Sequence, residues 1–112
     1  MLTYALIIFA LAAGGGIILA SYVLRNKLAP WGLSLLHAAL GATGLVLIIY
    51  MLVKGVASQS IVIGFILLLT AALGGFFLAS FHLRKDVPPK AVVIVHAGAA
   101  VAGFLAILSQ VA

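Results

Sequence analysis

The sequence predicts an all-α integral membrane protein. Its four transmembrane helices would form an up-down-up-down bundle built from two tandem, parallel two-helix repeats. Three observations carry this expectation. First, 67% of the 112 residues are hydrophobic and only seven side chains are charged, whereas soluble domains are about half apolar and a quarter charged. Second, four long apolar runs are separated by short polar breaks. Third, the chain matches itself without a gap at an offset of 59 residues. Eleven of the thirty positions from Gly15 to Gly44 are identical to their counterparts from Gly74 to Gly103, which is the mark of a duplicated structural unit. A single domain over residues 1–112 would hold repeat 1 at about 2–53 and repeat 2 at about 60–111.

The first run, about Leu2–Leu24, is long enough for a hydrocarbon core that needs roughly 20 helical residues. Met1-Leu2-Thr3-Tyr4 lacks the basic region of a cleaved signal peptide, so this segment is expected to be retained. Arg25-Asn26-Lys27-Leu28-Ala29-Pro30 breaks the pattern, and the second run spans about Trp31–Val53. The nearly neutral Lys54-Gly55-Val56-Ala57-Ser58-Gln59 leads to the third, about Ser60–Leu83. Arg84-Lys85-Asp86-Val87-Pro88-Pro89-Lys90 precedes the fourth, about Pro89–Val111. Pro30 and Pro89 suit the first turn of the helices that follow. No run alternates in polarity, which excludes a membrane-spanning barrel.

Loops 25–30 and 84–90 hold five of the six Lys and Arg residues. By the positive-inside rule they are cytoplasmic, with both termini and the Lys54 loop outside, in a membrane expected to be a bacterial inner membrane. Trp31 and Tyr22 would anchor the inner interface, and Tyr4 and Tyr50 the outer. The partner implied by composition is therefore the lipid bilayer. The net charge of +5 is confined to short loops and forms no basic face, so no nucleic acid is expected. The chain has no cysteine, which removes disulfides, thiolate ligands and thiol nucleophiles. No carboxylate lies within a span, which argues against ion-coupled transport and paired-carboxylate catalysis. Asp86, the only acid, sits in a basic loop. Gly14-Gly15-Gly16 lies inside a helix and is no nucleotide loop.

The repeat places His37 and His96 at equivalent positions, each seven residues beyond a proline. Short loops put the second and fourth helices on a diagonal, so the two imidazoles would face each other across the bundle axis. Gly15, Gly16, Gly74 and Gly75 thin the first and third helices at about that depth. Gly41 and Gly44 lie four and seven residues after His37 and share its helix face, and Ala100 and Gly103 do so for His96. Paired imidazoles flanked by small residues suit one bis-histidine haem b, with His37 and His96 as the iron ligands. Arg25, Arg84 and Lys90 would neutralise its propionates.

These residues resemble the pattern of membrane-embedded b-type cytochromes, in which diagonal helices of a four-helix bundle supply histidine pairs and the other helices supply glycines. The resemblance implies axial ligation by His37 and His96, ring clearance at Gly15, Gly16, Gly74 and Gly75, and one-electron transfer. The chain departs from well-known members, which carry two histidines on each ligand helix and two haems. Here each ligand helix has one. Electron transfer across the bilayer would then need a quinone, another redox subunit or a homo-oligomer.

Three other readings stand beside this one. The histidines of a cofactor-free accessory subunit would hydrogen-bond between helices. A small transporter or channel would use the central small residues as a pore. A chlorophyll-type pigment could take one histidine per magnesium. His82 has Val23 as its counterpart, so the repeat does not explain it. It is expected to snorkel at the interface; a propionate contact, a proton relay at a quinone site or an alternative ligand are its sharper roles.

Overall fold

The computed structural model describes residues 1–111, so Ala112, the last residue of the expected domain, lies outside the described residues. Its elements are four helices: α1 (Leu2–Leu24), α2 (Trp31–Val53), α3 (Gln59–Leu83) and α4 (Lys90–Leu108). The first two coincide with the apolar runs residue for residue. α3 begins one residue early because the Ser58 hydroxyl accepts the Ile61 N–H at 3.3 Å and caps it. α4 begins one residue late. Pro89 has a ψ of 134° and Pro30 a ψ of 129°, so each proline is the capping residue outside its helix and not part of the first turn. The far end of α4 stops three residues short of the apolar run. There the N–H groups of Gln110 and Val111 donate to Ile107 and Leu108, and this tighter winding closes the helix.

Three helix ends share one closure. After α1, Asn26 N–H donates to Val23 and Lys27 N–H to Tyr22. After α2, Gly55 donates to Leu52 and Val56 to Met51. After α3, Lys85 donates to His82 and Asp86 to Phe81. Each is a Schellman pair with a left-handed residue at its centre: Asn26 at φ 59°, Gly55 at φ 71° and Lys85 at φ 55°.

The helices form a ring in which α1 touches α2, α2 touches α3, α3 touches α4 and α4 touches α1, leaving α1 and α3, and α2 and α4, on the diagonals. Neighbours run antiparallel. His37 meets Ala12 while Gly44, further along α2, meets Phe9, nearer the start of α1. His96 meets Ala71 and Gly103 meets Leu68 in the same sense. The bundle measures 42 × 21 × 19 Å, against a hydrocarbon core of about 30 Å. All four helices are long and apolar enough to cross a membrane. Large apolar side chains such as Ile17, Leu73 and Val95 are exposed around the outside, a surface consistent with candidate membrane spans.

Packing is uneven along the bundle. The buried core of Ala5, Leu6, Phe9, Ile48, Met51, Ile61, Leu68 and Ile107 lies at the end that carries the termini and Lys54. Glycines tighten it. A Cβ on Gly64 would stand 2.9 Å from the Gly103 carbonyl oxygen, and one on Gly103 would stand 3.0 Å from that of Gly64. The α3 and α4 backbones therefore touch, as small residues allow between membrane helices. The half toward the basic loops is open.

Candidate ligand-binding site

The open half contains a cavity of about 430 Å³ to which all four helices contribute. That size falls within the roughly 300–1,000 Å³ typical of ligand pockets. Its wall is almost entirely aliphatic and aromatic. Among the described residues, the polar side chains lining it are Ser34, His37, His82 and His96. Ile17 and Leu73 belong both to this lining and to the exposed outer surface, so the cavity opens sideways between helices.

His37 and His96 face each other across the diagonal, with ring centroids 6.1 Å apart and planes at 76°. Both are fixed the same way. His37 donates its Nδ1–H to the Ala12 carbonyl oxygen at 2.8 Å, and His96 donates its Nδ1–H to that of Ala71 at 2.6 Å. An acceptor-only carbonyl requires the proton on Nδ1. In the neutral ring this leaves a lone pair on Nε2. Among the described residues, neither Nε2 has a hydrogen-bond partner.

Gly16 and Gly75 give these bonds room. Each is four residues after the acceptor, at the position whose Cβ, tilted toward the helix N-terminus, would overhang that carbonyl. A Cβ on either glycine would stand 3.0 Å from Cε1 of the adjoining imidazole. Both glycines also line the cavity. A Cβ on Gly15 or Gly74 would lie at ordinary contact distance from the same histidines. Gly41 lines the cavity with open space beside it, whereas Gly44 is packed against the Phe9 ring and Gly103 against Leu68 and Gly64. The last two close the opposite half of the bundle.

The arginines lie elsewhere. Arg25 turns back along α1, donating from Nε to the Ser21 carbonyl at 3.0 Å with its guanidinium 5.0 Å above the Tyr22 ring. Arg84 sits 4.1 Å above the Phe81 ring. Neither lines the cavity, and nor does Lys90.

His82, expected to snorkel outward, instead lines the cavity toward the basic loops. Its Nε2 is 3.0 Å from the Ser34 hydroxyl, and the Trp31 ring lies against it with centroids 4.6 Å apart. The carbonyls of Ala12 and Ala71, Ser34 and the facing side of Trp31 were not visible as site elements in the sequence. The backbone acceptors carry no side-chain signal, although Ala12 and Ala71 are themselves a matched pair at the 59-residue offset.

Among the described residues, no group of three or more His, Cys, Asp or Glu could hold a bare metal ion. The histidine pair can complete the coordination of a metal whose other ligands come from a macrocycle. Compared with known proteins, the chain matches no family model, no curated protein and no solved structure.

Proposed function

We propose that this chain is a multi-pass membrane b-type cytochrome that carries one electron at a time through a single haem b held by His37 and His96. The observation that carries the reading is the separation of the two rings. Imidazoles on opposite sides of one metal, bonded at about 2 Å, have ring centres on the order of 6 Å apart, and these centroids are 6.1 Å apart. The hydrogen bonds add support. A ligating histidine usually donates its other N–H to a carbonyl or carboxylate, which fixes the tautomer and raises the basicity of the ligating nitrogen. Ala12 and Ala71 accept those bonds here.

When bound, haem with both axial positions filled supplies one-electron transfer. His37 and His96 would hold it. Gly16 and Gly75 keep the imidazoles upright, and the apolar wall excludes water and disfavours added charge. The reading extends to the membrane. Four spans, with loops 25–30 and 84–90 at the cytoplasmic end, fit a bacterial inner membrane protein, with a quinone, another redox subunit or a second copy as the exchange partner. Two tandem parallel repeats about a pseudo-two-fold axis are supported by the recurrence of His37–Ala12 as His96–Ala71.

The test is an absorption spectrum of the protein purified in mild detergent, before and after dithionite, repeated on His37→Ala and His96→Ala. The expected result is a sharp low-spin reduced spectrum that either substitution abolishes or converts to high spin. A colourless protein from its native membrane would overturn the reading. One observation favours a second role: the same Nδ1 bonds tie α2 to α1 and α4 to α3, as a cofactor-free accessory subunit requires. That role predicts no pigment and normal assembly of both variants.

A further inference from the structure

The two hairpins offer the cavity two corners near the basic loops, and the corners are chemically unlike. At the 59-residue offset, Val23 of α1 corresponds to His82 of α3, and Val93 of α4 to Ser34 of α2. All four line the cavity. Val23 and Val93 are buried and offer no hydrogen bond. His82 and Ser34 are bonded to each other. Among the described residues lining the cavity, this departure from the repeat puts the only polar side chains outside the facing histidine pair at one corner of the mouth.

The pair has a donor to spare, whichever tautomer it adopts. A neutral imidazole and a hydroxyl carry one N–H and one O–H between them. The 3.0 Å contact between Nε2 and Oγ uses one of these protons. If Ser34 donates, His82 Nδ1–H is left. If His82 donates, the Ser34 O–H is left. Among the described residues, neither His82 Nδ1 nor the Ser34 hydroxyl has another partner. The Trp31 ring lies tilted against the His82 ring, with centroids 4.6 Å apart. The spare donor is free to bond an acceptor at the mouth, and a carboxylate is an acceptor only.

Depth agrees with this assignment. Ser34 precedes His37 by three residues, about 5 Å of helix toward the loops, and His82 follows Gly75 by seven residues, about 10 Å. An acid group at the edge of a ring system held between His37 and His96 would extend in this direction. Arg25 and Arg84, the residues that charge alone would nominate to receive it, are turned onto Tyr22 and Phe81.

We propose that His82 and Ser34 together anchor one carboxylate of the cavity's occupant, fixing a single edge of that molecule toward the α2–α3 corner. This rests on the reading of the cavity as a tetrapyrrole site, and makes His82 and Ser34 positioning residues, not iron ligands. The α1–α4 corner, with Val23 and Val93, anchors nothing.

The experiment titrates haem b and its dimethyl ester into the full-length protein, freed of pigment and held in lipid nanodiscs, with affinity read from the growth of the low-spin absorption band. The double substitution His82→Val, Ser34→Val is run in parallel. Both changes install the residue that the matching position already packs, so the bundle has a precedent for them. Wild type is expected to prefer the free acid by on the order of tenfold to a hundredfold, the value of a hydrogen bond to a charged group. The double variant is expected to bind both forms about equally, still low spin. The low-spin band reports that His37 and His96 are undisturbed, which a merely structural effect of the substitutions would not leave intact. Equal binding of acid and ester by wild type, or an unchanged preference in the double variant, overturns the anchor and leaves the histidine-ligated site standing. Failure of both forms to give a low-spin band in wild type overturns the site, and the anchor with it.

Discussion

At the end that carries the termini and Lys54, Gly64 and Gly103 let α3 and α4 meet backbone to backbone, and Gly44 receives the Phe9 ring. Nearer the basic loops, Gly16 and Gly75 leave somewhat more room for a Cβ, which would stand 3.0 Å from the neighbouring ring, and what fills the space is an imidazole. In the first half the missing side chain shortens the distance between helices. In the second it opens a helix carbonyl to a histidine from the next helix. One half is therefore closed around Ile48 and Ile107, and the other retains a cavity. Glycine alone predicts neither outcome. What decides is whether the facing residue is an aliphatic or aromatic chain that packs, or a polar ring with a bond to make.

The strongest way to break the contrast is to add volume at the closed end. Gly64→Val would drive a branched side chain into the Gly103 carbonyl, which belongs to a helix backbone and has nowhere to go. Overpacking of this kind is expected to destabilise the bundle by about 3 kcal/mol, read as a lower midpoint in unfolding by sodium dodecyl sulfate from mixed micelles. A midpoint equal to wild type would mean that α3 and α4 do not touch there.

The matching experiment in the open half should behave differently. Gly16→Ala places a methyl group 3.0 Å from Cε1 of His37, and the ring must tilt by a few tenths of an ångström. Alanine is the better helix former by about 1 kcal/mol, so unfolding stability should hold or rise. If the cavity holds the proposed haem, its affinity should drop by about tenfold, the usual scale when the support of a ligating histidine is disturbed. A variant that loses stability but keeps its affinity would show that the open half is packed like the closed one. Gly75→Ala provides the internal control, since the geometry around His96 is the same.

These two halves differed in how far the sequence disclosed them. The spans of α1 and α2 were legible to the residue because Arg25 and Lys54 follow the last apolar residue directly. The end of α4 was not, because Ser109-Gln110-Val111-Ala112 carries no charge to mark it. His37 and His96 were legible as a pair through the repeat and the diagonal rule, since both depend on spacing alone. Gly44 and Gly103 share the histidines' helix face, which nominated them as site residues, but sharing a face does not fix depth. Seven residues is about 10 Å of helix, enough to take them out of the cavity lining and against Phe9 and Leu68, which themselves line it. His82 was only partly legible for a related reason. Its place at a helix end suggests the interface, and it is part-exposed there, whereas its neighbours Ser34 and Trp31 come from another helix and are not matched in the repeat.

A smaller effect is expected at the capped start of α3. Ser58 accepts from Ile61 and donates to the Gln110 side chain at 2.6 Å, joining the first turn of α3 to the chain end beyond α4. Ser58→Ala should cost about 1 kcal/mol in the same unfolding assay. Because the cavity lies in the other half, the absorption spectrum and affinity of the proposed haem should not move. A shift in either would mean that the closed end transmits strain to the cavity.

The smallest effect comes from the two basic loops, which are built alike but not from equally suited residues. Asn26 and Lys85 occupy matching positions at φ 59° and φ 55°. Asparagine enters the left-handed region readily, and lysine does so at a cost. The equivalent position after α2 is Gly55, the usual choice. Lys85→Gly should therefore stabilise the bundle by about 0.5–1 kcal/mol, and Asn26→Gly by less. The lysine substitution also tests the mouth of the cavity, because Lys85 N–H donates to the carbonyl of His82. If glycine relaxes that turn without moving the end of α3, ligand affinity stays at the wild-type value while stability rises. If affinity falls as stability rises, the strained lysine is holding His82 in place, and the open half depends on its loop as well as on its glycines.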